Sequence, residues 1–315
     1  MKERIQVTGG AGLIGSYTVD ALIESGHKVR ILDCLERPTH PDGTPPPWLN
    51  PEAEFIRGDV RRADDLDAAL DGVDGVIHLA ATGGFTADIS RYIDTNSLGT
   101  ARLLEAIQRR GDAVKRVVVA SSVGVYGEGS YIAADGGWQK GSIRSVERLR
   151  RGAWEVHCPK TMRDLKPCPI PEETPRTPMT PYCISKLDQE LLVLNHGRQT
   201  GLETVALRYF LTYGPRQSRF NPYTGVIAIF VTRALEGRPI IIFEDGEQQR
   251  DFIHAKDVAR ANVIALMHPD APGHVFNVGT GQGRTIATVA RQIHQRLSPN
   301  APKPITDGSF RPGDA

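Results

Sequence analysis

A phenol and an ammonium group stand four residues apart in Pro181-Tyr182-Cys183-Ile184-Ser185-Lys186, which sets both on one face of a helix. A tyrosine beside a cation is the raw material of a proton-transferring pair. The same spacing suits a half-buried tyrosine lying over a surface lysine, so its meaning rests on context. Part of that context is Ala120-Ser121-Ser122-Val123-Gly124-Val125-Tyr126-Gly127, where a serine follows a short apolar run.

The rest of the context is Val7-Thr8-Gly9-Gly10-Ala11-Gly12-Leu13-Ile14-Gly15, between the first predicted strand and the first predicted helix. Gly9 permits a tight turn, Gly12 lets backbone approach a pyrophosphate, and Gly15 lets helix pack on strand. The free amides and positive dipole end of the helix then face phosphate. At that position the pattern reads as a dinucleotide site. The second strand ends at Asp33, about 20 residues further on, where a carboxylate binds ribose hydroxyls and repels a 2′-phosphate. NAD rather than NADP is expected, although Arg37 offers a guanidinium nearby. Asp59, in Gly58-Asp59-Val60, suits the adenine amino group or caps the next helix.

Alternating strands and helices must carry these motifs. Ile5–Val7, Val29–Leu32, Gly75–Leu79 and Val117–Ala120 are short and apolar, as strands buried on both faces should be. Ser16–Ser25, Ala63–Leu70 and Asn96–Arg110 repeat apolar residues at helical spacing. The alternation predicts βαβ units and a parallel sheet, an α/β fold. Residues 128–178, rich in glycine and proline, read as an inserted loop with a short helix, and Arg144–Arg151 inside it as a solvated basic face. Beyond it, helices are expected at Tyr182–Arg198, Val226–Glu236 and Asp257–Met267, and strands at Thr204–Tyr209 and Ile240–Phe243.

The chain has 315 residues, 38 basic and 37 acidic, for a net charge of +1. That balance carries no footprint for nucleic acid or an anionic membrane. Cys34, Cys158, Cys168 and Cys183 are too scattered for a disulfide framework, which indicates a reduced, cytoplasmic chain without a leader. His157, Cys158 and Cys168 lack the paired spacing of a structural zinc site, and no metal is expected.

The glycine turn, the serine after the fourth strand and the Tyr182–Lys186 pair together resemble the extended short-chain dehydrogenase/reductases. Within these the chain is most similar to the NAD-dependent sugar epimerase/dehydratase branch. Matching segments are His78-Leu79-Ala80-Ala81, Asn96 with Gly99-Thr100, Arg208-Tyr209-Phe210, Tyr213-Gly214-Pro215-Arg216-Gln217, Arg250-Asp251-Phe252-Ile253-His254 and Phe276-Asn277-Val278-Gly279.

The resemblance implies a Rossmann-type doubly wound parallel sheet with a smaller C-terminal substrate-binding lid. It places the dinucleotide domain at 1–213, with the insertion at 128–178 and returns at 251–260 and 274–281. The lid takes 214–250 and 261–315, and it stops about where relatives run on. Tyr182 becomes the acid/base at a sugar hydroxyl, Ser122 bonds the same oxygen, and Lys186 holds the nicotinamide ribose and lowers the tyrosine pKa. Moving a phenol from about 10 to near 7 takes roughly 4 kcal/mol, which one cation ~4 Å away at an effective dielectric of about 20 supplies. The resemblance assigns Leu13, Ile14, Val60, Leu79, Ala80, Ala81, Asn96 and Tyr209 to the cofactor as well. Val123, Arg216, Asn221 and Arg250 go to the substrate, a dTDP- or UDP-linked sugar.

Relatives that eliminate water carry carboxylates directly after the serine. Here those positions are Val123 and Gly124, which speaks against dehydration and decarboxylation. Epimerisation at carbon 4 of a 6-deoxy sugar is the reading of choice. A sugar ketoreductase or dehydrogenase would use the same residues, and a non-catalytic NAD-binding protein would keep the fold. Leu211 replaces an asparagine that in relatives contacts the diphosphate region. Family members pair through two helices per subunit, so Asn96–Arg110 and the Tyr182 helix would form a homodimer.

Overall fold

The structure is a computed structural model that describes residues 3–83, 88–218 and 225–311. Its contacts divide the chain into two units: Met1–Ser122, Pro181–Thr224 and Ile253–Val278 form one; Val123–Thr180, Gly225–Phe252 and Gly279–Ala315 form the other.

The first unit is built on seven strands: β1 (Arg4–Thr8), β2 (Lys28–Asp33), β3 (Glu54–Arg57), β4 (Gly75–His78), β5 (Arg116–Ser122), β6 (Glu203–Tyr209) and β7 (Val275–Val278). They form one parallel sheet in the order β7-β6-β5-β4-β1-β2-β3. The apolar runs are buried because helices cover both faces. On one face α1 (Leu13–Glu24) and α5 (Ala255–Met267) bring Val19, Leu22, Val258 and Leu266 against Ile5, Val7 and Val118. On the other, α2 (Ala63–Ala69), α3 (Gly99–Gln108) and α4 (Pro181–Thr200) bring Leu66, Leu103 and Val193 against Val76, Val117 and Val119. Arg30 is tolerated inside β2 because its guanidinium donates to the carbonyls of Ala69 and Asp71 and pairs with Glu54.

The strand order reverses between β1 and β4. Ligands in such sheets bind at the carboxyl ends of the strands where the order reverses. The glycine turn leaves β1 there, and Leu79-Ala80-Ala81 leaves β4 beside it. A π-helical segment, Ile93–Leu98, runs directly into α3.

The second unit contains a three-stranded antiparallel sheet, with Ser130–Ile132 between Trp138–Lys140 and Lys166–Cys168. A short helix, Val146–Arg150, is capped by the Ser145 hydroxyl. Helices Val226–Leu235 and Ile286–Leu297 enclose Phe230, Ile242, Ile286 and Val289. Gln249–Asp251 pairs antiparallel with Gly283–Thr285, and Ile241–Ile242 parallel with Ile305–Thr306.

Three expectations change. The 128–178 segment has the expected short helix, but it also carries its own sheet and clusters with the second unit rather than with the dinucleotide domain. Residues 261–273, allotted to the lid, belong to the first unit, since Ala265 and Leu266 of α5 are buried in the core of the main sheet. Arg144 is no part of a solvated face; its side chain is 9% exposed and lies between Glu128 and Glu244 at 3.5 and 2.7 Å.

Candidate active site

The turn after β1 owes its shape to three glycines with different duties. Gly9 has φ +69, and a Cβ on it would sit 2.8 Å from the Ala80 nitrogen, so only glycine lets the β4 loop come this close. A Cβ on Gly15 would run into the carbonyl of Gly9, which is how α1 seats tightly on the turn. Gly12 is different. A Cβ there would meet only the Gly9 oxygen at 3.4 Å among the described residues. Gly12 also begins α1 with no side-chain cap, leaving the Leu13 and Ile14 amides at the positive end of the helix. This cradle fits a pyrophosphate.

Asp33, at the end of β2, is 8% exposed. Its Oδ2 accepts from the Ala11 amide at 3.0 Å and its Oδ1 from the Leu35 amide at 2.9 Å. The carboxylate thus ties the glycine turn to β2 and keeps lone pairs for ribose hydroxyls. Asp59 does not cap α2, whose first turn is preceded by Arg62. Its carboxylate grips Arg61, which reaches Glu36 and Asp94 as well. Burial raises the Asp59 pKa, and the Arg61 bonds more than reverse that, holding it below the usual carboxylate range. Val60 is buried, and its side chain would meet a Cβ on Gly99.

Asn96, in the π-helical segment, uses its whole amide as a clamp. Oδ1 accepts from the Thr82 amide at 2.8 Å, and Nδ2 donates to the Thr82 carbonyl and to Ser185 Oγ at 3.1 and 2.8 Å. The loop holding Leu79, Ala80 and Ala81 is thereby pinned to α4, the helix of Tyr182 and Lys186. Tyr182 lies edge-on to Tyr92, with ring centres 6.1 Å apart, and its hydroxyl is hydrogen-bonded to Ser122 at the end of β5.

Charge in this site is governed by burial. Burial, first, then Cys183 and Tyr92 push the Tyr182 phenol above its ordinary value, while the Ser122 bond pulls it down. Burial pulls Lys186 to about 7, opposed by Glu190. Ser122 is the group that favours the phenolate here, and low polarity is the larger effect on both residues.

The remaining expected positions separate. Tyr209 pairs with Ser122 in register, but its hydroxyl donates to Asn262 at 2.5 Å and its ring lies in the core, so it acts as a strut under α5. Arg216 is drawn to α1, where Nη1 sits 2.7 Å from Asp20 and the guanidinium covers the Tyr17 ring at 4.2 Å. Within the second unit Val123 opens a single 3₁₀ turn, and Arg250 lies close enough to Glu128 and Tyr131 to lower both pKa values against burial. Asn221 lies outside the described residues. The sequence reading missed Gln189, Thr100 and Thr8, which surround Lys186 and His78 from three different elements. Only Thr100 and Thr8 fell inside quoted motifs.

The family model for the NAD dependent epimerase/dehydratase family matches residues 5–144 and 161–279. The dTDP-L-rhamnose 4-epimerase of Burkholderia thailandensis is 34% identical, over 99% of this chain and 85% of the relative. Among solved structures, the Thermotoga maritima UDP-glucose 4-epimerase with UDP-glucose superposes with a TM-score of 0.76 at 30% identity, covering 96% of this chain and 85% of that one. The Thermus thermophilus UDP-glucose 4-epimerase in complex with NAD gives 0.74 at 29% identity, covering 99% and 88%. With the glycine turn, Asp33 and the Ser122, Tyr182 and Lys186 set all in the matched region, the chain belongs to the NAD dependent epimerase/dehydratase family.

Proposed function

We propose that the protein is an NAD-dependent nucleotide-sugar 4-epimerase acting by transient oxidation at carbon 4, and that its substrate is a dTDP-linked 6-deoxy sugar. The observation that carries this reading is the Ser122–Tyr182 hydrogen bond one helical turn from Lys186, with Val123 and Gly124 where an eliminating enzyme needs carboxylates. The 34% identity to a dTDP-L-rhamnose 4-epimerase supports the substrate class.

Tyr182 takes the proton of the carbon 4 hydroxyl and returns it after the ring has presented its other face. Ser122 holds the phenol and the sugar oxygen on one line. The Lys186 ammonium lies one turn away and reaches toward ribose hydroxyls. The glycine turn and Asp33 would hold NAD, which would supply a reversible acceptor for the carbon 4 hydride with no net redox change. Asp33 excludes a 2′-phosphate by charge. Arg250 serves the diphosphate, next to Glu128 and Tyr131.

The active assembly is a homodimer through α3 and α4, which line a groove with Leu104, Leu191 and Leu192, while Leu98, Ile184 and Leu191 present apolar surface. None of the four cysteines is in a disulfide, in keeping with the cytoplasm, and no helix among the described residues is long and apolar enough to cross a membrane.

The test is turnover of dTDP-L-rhamnose and UDP-glucose by wild type and Tyr182→Phe, with NAD content measured in both. Interconversion of carbon 4 epimers by wild type, lost in Tyr182→Phe while NAD stays bound, is expected. A stoichiometric change in NADH absorbance during turnover would replace the epimerase with a ketoreductase, and full activity of Tyr182→Phe would reject the mechanism.

A further inference from the structure

Four buried side chains behind the catalytic helix form a chain of hydrogen bonds that ends on Lys186. Thr8 Oγ1 accepts from the backbone amides of Leu79 and Ala80, both at 3.2 Å. Its hydroxyl is hydrogen-bonded to His78 Nδ1, 2.7 Å away. The other ring nitrogen, Nε2, lies 2.9 Å from Thr100 Oγ1 and 3.2 Å from Gln189 Nε2. Thr100 sends its own proton to the Asn96 carbonyl at 2.5 Å, so toward Gln189 it can only accept. Gln189 Nε2 donates to it at 2.8 Å. That settles the amide: Oε1 faces the other way, and it accepts from Lys186 Nζ at 2.6 Å.

Every member is closed to solvent: Thr8, His78, Thr100 and Gln189 are all 0% exposed and Lys186 2%. A glutamine turned the other way would set its NH₂ against an ammonium and its oxygen against a hydroxyl with no proton to give. The Gln189 amide therefore has one orientation in this network.

Resting on the epimerase reading for the role of Lys186, we propose that Gln189 is the positioning residue of this site. Locked by Thr100, its Oε1 fixes the Lys186 ammonium and links the lysine's aim to the Leu79–Ala80 backbone that lies against the glycine turn. The cofactor loop and the catalytic helix are thus set by one chain of bonds, and a shift of the loop on dinucleotide binding reaches Lys186 through four side chains.

The other ionisable groups around Lys186 are His78 on β4, Tyr182 one turn back, and Glu190 on its own helix, itself closed by Arg208 of β6 and Ser121 of β5. Burial and the nearby Lys186 hold His78 at about 3, so it stays neutral throughout the working range.

The test compares Gln189→Met, which keeps the volume and loses the acceptor, with Gln189→Glu, which keeps the acceptor. The Lys186 Nζ titration midpoint is read by NMR on ¹⁵N-lysine-labelled protein, assigned with Lys186→Met, and NAD⁺ affinity by calorimetry, all without sugar. Gln189→Met should lower the midpoint by about one pKa unit and weaken NAD⁺ binding about tenfold. Gln189→Glu should raise the midpoint and hold NAD⁺ affinity within about threefold of wild type. A midpoint and affinity unmoved in Gln189→Met make Gln189 a packing residue and overturn the proposal. If Gln189→Met does not fold, an unmoved midpoint in Gln189→Glu overturns it and a raised one upholds it. Since no sugar is used, loss of the epimerase reading through an active Tyr182→Phe variant leaves this result to be judged separately.

Discussion

Arg208 and Glu190 form an ion pair closed to water: Nη2 lies 2.6 Å from Oε1, and the side chains are 2% and 0% exposed. Arg208 Nε adds a bond to Oε2 at 3.0 Å, and Ser121 Oγ donates to the same oxygen at 2.6 Å. Strands β5 and β6 therefore grip α4 one turn beyond Lys186. The pair fixes the rotation of that helix, and with it the direction in which Tyr182 and Lys186 point.

Removing one partner leaves the other charge buried. Arg208→Met is expected to lose about 3–5 kcal/mol of stability in urea unfolding, and Glu190→Leu a similar amount. The double variant Arg208→Met with Glu190→Leu should cost less than the sum, because an apolar pair carries no stranded charge. Strict additivity in that cycle would show that the two residues act separately.

The glycine turn separates folding from binding. Gly15→Ala drives a methyl into the Gly9 carbonyl and should destabilise the protein by about 3 kcal/mol. Gly12→Ala meets nothing nearer than 3.4 Å, so its stability loss should stay within about 1 kcal/mol. Its methyl occupies the approach of the pyrophosphate, and NAD⁺ affinity should fall about tenfold or more. Calorimetric titration beside thermal melting distinguishes the two effects.

Asp33 orders the turn and, in the proposed function, faces the ribose. Asp33→Ser should weaken NAD⁺ and NADP⁺ alike through the lost bond to the Ala11 amide. Because the charge that repels a 2′-phosphate goes too, the ratio of NAD⁺ to NADP⁺ affinity should fall by about tenfold. An unchanged ratio would move the discrimination to another residue, with Arg37 the first to examine.

Lys186 makes stability depend on pH in a direction opposite to that of a paired lysine. Its folded value, about 7, lies below its unfolded value of 10.5. Between those values the unfolded chain binds more protons, so stability rises with pH across that window. Below about pH 7 the cost of burying the ammonium is fully present. Lys186→Met should therefore be more stable than wild type, most of all below pH 7, with the gain fading toward pH 10. Urea midpoints at pH 6, 8 and 9.5 check the sign.

Much of this site is legible in the sequence because its parts are local. The glycine turn, Asp33 at a strand end and the Tyr182–Lys186 spacing each depend on one element and its exit, and the structure puts all of them in one unit with Ser122. What could not be read depends on partners far along the chain. Nothing near Arg216 says that Asp20, 196 residues earlier, will take its charge. The Tyr209 hydroxyl finds Asn262, and Gln189 owes its role to Thr100 and His78 on other elements. The 128–178 segment hides its sheet for another reason: its strands are three residues each, too short for alternation to show.

The π-helical segment Ile93–Leu98 ahead of α3 holds one residue more per turn than an α-helix would. Each residue of a regular helix turns the chain by about 100°, so trimming a single amino acid here would swing Asn96 away from Thr82 and Ser185 while α3 stayed in place. Chain length in this one turn is therefore as selective as chemistry: a sequence with every side chain intact but one backbone unit fewer between Tyr92 and Gly99 would lose the clamp that holds cofactor loop to catalytic helix.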